Sequence, residues 1–130
     1  MTTSVNIGMG TLPLRSVPTP SRTDVLLDEL VTAIGLAPAD AHRLQETRDI
    51  PRAMRRIIRM ATHVGQSWTC WQDSAGQVSL VIAEMPPQVL WEKDGFVGLD
   101  IDRYAEDGEL VGSGRWLRDQ HGTWRRWGAN

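Results

Sequence analysis

The apolar positions of this chain change period near its middle. Between Asp24 and Ile34, Val25, Leu26, Leu30, Val31 and Ile34 recur at three-to-four spacing, which predicts a helix with one face turned to a core. Ser21 or Thr23 would cap it and Gly35 would stop it. A second stripe, Ile50, Met54, Ile57, Ile58, Ala61 and Val64, predicts a helix over about 51–64, with Asp49 near the N-cap, Pro51 in the first turn and Gly65 at the end. Between the two, Pro38 is expected to open a short helical turn running to about Glu46, with Asp40 as cap and Leu44 as its packing residue. From Gln66 onward the period falls towards two. Strands are expected near 67–73, 77–85, 88–93, 96–104, 110–118 and 123–127, parted by Asp73-Ser74-Ala75-Gly76, Pro86-Pro87, Asp94-Gly95, Asp107-Gly108 and Asp119-Gln120-His121-Gly122. The expected fold is α+β: two to three N-terminal helices packed across one face of a curved, five- to six-stranded antiparallel β-meander, two layers around one core.

Residues 1–22 contain Gly8, Gly10, Pro13, Pro18 and Pro20 without a sustained period and read as a flexible tail, in which only Val5, Ile7 and Met9 alternate. Residues 23–130 then form one α+β domain, in keeping with a length of 130 residues. The lone Cys70 cannot form an internal disulfide. The first residues show neither a basic start nor a continuous apolar run of seven or more, and no apolar run approaches the roughly 20 residues of a membrane span, so a soluble, cytoplasmic protein without a secretory leader is expected.

Charge sharpens this picture. The net charge of −2 conceals three blocks. Arg48–His63 holds five Arg against Asp49, Asp73–Gly112 holds nine acids against Lys93 and Arg103, and Ser113–Asn130 holds four Arg against Asp119. Within the first block Arg52, Arg55, Arg56 and Arg59 share one helical face, a spacing that lets guanidinium groups engage carboxylates or phosphates together. That face is a candidate partner- or anion-binding surface; its alternatives are a solvated face or one paired with the chain's own acidic sheet. The second candidate is Trp124, Arg125, Arg126 and Trp127. On a strand Trp124 and Arg126 point one way and Arg125 and Trp127 the other, so burying one tryptophan exposes its neighbour. Asp100 and Asp102 share a strand face opposite Val97, Leu99 and Ile101, which marks their side as solvent-facing.

No phosphate-binding glycine loop, nucleophile elbow or dinucleotide fingerprint is present, and His42, His63 and His121 lack metal-motif spacing, so no cofactor, metal or catalytic residue is assigned. The expected function is therefore a non-enzymatic protein-interaction or regulatory module, with a protein partner or self-association through an exposed sheet edge. Two alternatives stand beside it. The order of elements resembles the cystatin-like and nuclear-transport-factor-like cone folds, which implies a small-ligand-binding or enzymatic pocket between helix and sheet. The Arg helix by itself would suit nucleic acid, against which the acidic pI of 5.9 weighs.

Overall fold

In a computed structural model of the chain, residues 20–86 and 95–128 are described. The fold belongs to the α+β class, and the described residues form an antiparallel sheet of six strands and two α-helices. Helix α1 spans Arg22–Ala33 and α2 spans Arg52–His63. The strands are β1 (His42–Arg43), β2 (Ser67–Gln72), β3 (Val78–Glu84), β4 (Val97–Tyr104), β5 (Leu110–Arg118) and β6 (Trp124–Arg126), lying side by side in chain order. Tail residues 1–19, the strand expected at 88–93 and Trp91 lie outside the described residues.

Helix α1 begins where Ser21 predicts. Ser21 Oγ accepts from the Asp24 backbone N–H at 3.1 Å, and the Asp24 carboxylate accepts from the Ser21 N–H at 2.9 Å, a reciprocal capping box. Beyond the helix, Gly35 takes φ +65°. The short helix expected over 38–46 does not form. That segment instead turns and pairs its two-residue β1 with the end of β2, His42 opposite Gln72 and Arg43 opposite Trp71. A single 3-10 turn follows at Thr47–Asp49. Leu44 is buried as expected, but as part of an extended segment: its N–H donates to the carbonyl of Cys70 at 2.8 Å.

The two helices do not share one face of the sheet, as expected; they lie on opposite faces. Leu26, Leu27, Leu30 and Val31 of α1 pack with Trp71, Val81, Ala83, Val97, Leu99, Ile101 and Trp124. Met54, Ile58 and Ala61 of α2 pack with Cys70, Val78, Leu80, Ile82, Leu44 and Ile50. Strand parity explains the split: Val81 and Ala83 point to α1, and Val78, Leu80 and Ile82 point to α2. The molecule is thus three layers with a core on each side of the sheet.

Two residues of the expected stripes are outside both cores. Val25 is 54% exposed because, at about 100° per residue, it lies on the far side of α1 from Leu27 and Leu30. Val64 is 67% exposed; it is the C-cap of α2 and falls beyond the arc of Met54, Ile58 and Ala61.

The two layers of helix are unequal in reach. On one face, the core under α1 extends across the sheet to β4 and to Trp124 of β6. On the other, α2 covers β2 and β3, with Tyr104 at the margin, and among the described residues no helix covers the rest of β4 and β5. Asp100 and Asp102 are on this side, opposite the buried Val97, Leu99 and Ile101, as the alternation predicts. Among the described residues no helix is long and apolar enough to cross a membrane.

Candidate functional site: the arginine face of α2 and the open half of the sheet

Helix α2 turns Met54, Ile58 and Ala61 to the sheet, so the positions between them must look outward. Arg52, Arg55, Arg56 and Arg59 do so together and line a recess of about 230 Å³ made from their own side chains. No acid occurs between Arg52 and His63. Among the described residues none of the four arginines has an ion-pair partner, and Arg55 Nε is a buried donor without an acceptor. Pairing of this face with the chain's own acidic strands, one of the expected alternatives, is not seen among those residues.

The N-terminus of α2 adds to the positive field. Its N-cap is Pro51, which makes no side-chain capping bond, and the first turn carries no acidic residue. The first backbone N–H groups of a helix concentrate about half a positive charge, so Arg52 and its neighbours sit where cations are least favoured. A carboxylate or phosphate placed there would meet guanidinium donors and the dipole at once.

The second expected cluster is divided by the sheet. Trp124 is buried under α1, its indole N–H donating to Glu29 Oε2 at 3.1 Å. Arg118 donates to both oxygens of Glu29, at 2.8 and 3.0 Å, and its guanidinium stands 5.9 Å from the centre of the Trp124 ring. Trp124 is therefore a structural anchor joining α1 to the last two strands. Arg126 is on the same face and donates to the Ser113 carbonyl at 3.1 Å. Trp127, as parity requires, is on the other face and 51% exposed; the exposed Arg125 approaches Asp119 only to 4.0 Å. The structure does not unite these four residues with the arginines of α2, since β4 and β5 separate β6 from the strands under that helix.

Beside α2, the uncovered part of the sheet forms a trough of about 460 Å³ with Ile82, Asp100, Asp102, Ser113 and Arg115 in its floor and walls and Trp127 at the rim. Arg115 grips Asp100 with two bonds, Nε to Oδ1 at 2.6 Å and an NH2 to Oδ2 at 3.0 Å. This pairing holds the Arg115 guanidinium above its ordinary range. Ser113 Oγ donates to Asp102 at 2.7 Å, and Glu84 accepts from Gln66 at the trough's end. The carboxylates are held across adjacent strands by these bonds. Sequence reading missed the trough as a unit, although its signal was present: the polar parity of β4, Asp100 and Asp102, matches that of β5, Ser113 and Arg115, in the register that pairs them.

Cys70 faces the α2 core, where burial pushes its thiol up to about 12, the opposite of what a nucleophile needs. Among the described residues no group of three or more His, Cys, Asp and Glu side chains is placed to hold a metal ion. No family model, curated protein or solved structure matches this chain.

Proposed function

We propose that the protein is a non-enzymatic interaction module of the cytoplasm whose recognition surface is the outer face of α2, and that this face binds an acidic protein surface. The observation that carries the reading is the set of four arginines, Arg52, Arg55, Arg56 and Arg59, sharing one recess without an acidic partner among the described residues. Arginine loses less freedom per hydrogen bond than lysine and grips carboxylates with two parallel bonds, which suits a protein interface. Exposed Met60, on the flank of the same helix, adds an apolar margin to the charged centre.

A photo-crosslinking residue at position 60, introduced in the organism's own cells, tests this reading. The expected result is a discrete protein adduct that disappears when Arg55 and Arg59 are both changed to Glu. An absence of any adduct, or an adduct indifferent to those changes, would sink the proposal. An adduct that vanishes on nuclease treatment would instead favour nucleic acid, whose binding to such a face is steeply salt-dependent.

A further inference from the structure

Among the described residues, the half of the sheet that α2 leaves open and the arginine face of that helix are neighbours on one side of the molecule, and each has what the other lacks. Helix α2 stands on β2 and β3 as a ridge, while β4, β5 and the Trp127 end of β6 form a step below it. Three strands at about 4.8 Å spacing make that step about 14 Å wide. A helix with its side chains is about 10–12 Å across, and the 12 residues of α2 extend about 18 Å. The eight residues of β4 run about 27 Å. The step has the dimensions of a second α2.

Its chemistry agrees with its shape. The outward side of α2 carries Arg52, Arg55, Arg56, Arg59 and His63 and no acid, whereas the trough holds Glu84, Asp100 and Asp102 against the single Arg115. Met60 and Val64, each 67% exposed, and the half-exposed Trp127 border the same region, Val64 standing two residues before the trough residue Gln66.

We propose that the protein forms a two-fold dimer in which α2 of each copy lies in the trough of the other. The proposal rests on the reading of α2 as an interaction surface and names its partner as a second copy of this chain. A two-fold contact brings the same patch of both subunits together, so a patch that is basic on one half and acidic on the other complements itself. A foreign basic helix could fill the trough, and a foreign acidic surface could cover the ridge, but only a second copy satisfies both halves in one act. The assembled order is sheet, a layer of two α2 helices, sheet, with Met60 and Val64 drawn into the shared layer.

The test is light scattering on the full chain, with charge reversal on each half of the patch. The wild type is expected to be a dimer that weakens as salt rises. Arg56→Glu with Arg59→Glu, and separately Glu84→Lys with Asp102→Lys, should each weaken association by at least about a hundredfold, since like charges then face one another across both halves of the contact. Mixing the two variants should restore a 1:1 heterodimer. Restoration cannot arise from misfolding, because only folded chains recombine. A wild type that stays monomeric at high concentration and low salt overturns the inference, as does a dimer indifferent to both reversals or a mixture that fails to pair. A monomer that still yields an Arg-dependent adduct with a different protein overturns the dimer alone; a monomer with no such adduct overturns the proposed function as well.

Discussion

Gly108 lies in the turn between β4 and β5 with φ +88°, and a Cβ built there would stand 3.1 Å from the Cβ of Ala53 in α2. Gly122, in the turn between β5 and β6, has nearly the same φ of +86° and open space around it. Alanine at Gly122 should therefore cost only the left-handed backbone, about 1–2 kcal/mol. Alanine at Gly108 should lose a further 1–3 kcal/mol or about that, because α2 must shift to admit it. Urea midpoints of the two variants give the difference directly, and equal losses would mean that the turn does not support the helix. Cys70 permits a second measurement. Its folded-state value is raised, so its contribution to stability is intact below the ordinary thiol range near 8.5 and is lost as pH climbs from there towards about 12. Stability should fall more steeply above pH 8.5 in the wild type than in Cys70→Ala, and a thiol reagent should label the folded chain only as it unfolds. Equal slopes, or fast labelling of the native protein, would contradict the burial.

At the scale of elements, α1 and α2 differ in how their ends are treated. Helix α1 has a full capping box and an acid in its first turn, while α2 opens on Pro51 and Arg52 with neither. Arg52→Glu should accordingly stabilise the fold by about 0.3–1 kcal/mol, by placing an anion at the positive end of the dipole, and at the same time weaken whatever binds the arginine face. Thermal melts paired with the crosslinking yield read both quantities; a destabilised variant would show that Arg52 has a structural partner after all. The arginine face itself was legible in sequence because spacing alone puts four charges on one side of a helix. The segment 38–46 was not, since Pro38 and Asp40 are as compatible with a turn as with a helix start, and the choice fell to β1 pairing with β2 across a long separation. The division of Trp124 from Trp127 followed from strand parity, but nothing local said which would be buried. Glu29, 95 residues from Trp124, decides that by accepting its indole N–H.

For the molecule as a whole, the layer order was written in β2 and β3 more than in the helices. A sheet covered on one face alternates apolar with polar, as β4 does with Leu99, Asp100, Ile101 and Asp102. By contrast, Leu80-Val81-Ile82-Ala83 and the Cys70-Trp71 pair are apolar at both parities, which requires cover on both sides. Two amphipathic helices do not reveal whether they share a face; the strands beneath them do. The same comparison marks where α2's cover stops, between the doubly apolar β3 and the alternating β4, and so locates the trough. Two cores on opposite faces also make an energetic prediction. Leu27 is buried under α1 and Ile58 under α2, in separate clusters with the sheet between them. Leu27→Ala should cost about 2–5 kcal/mol and Ile58→Val about 0.5–1.5 kcal/mol. Because the two residues share no packing neighbour in those clusters, the double variant should lose the sum of the two to within about 0.5 kcal/mol. If both helices packed into one core, the first truncation would let that core relax around the second, and a coupling of up to about 3 kcal/mol would appear in the double-mutant cycle. Chemical denaturation of the four proteins, fitted with a common slope, separates these outcomes, and a coupling well above 0.5 kcal/mol would refute the three-layer arrangement.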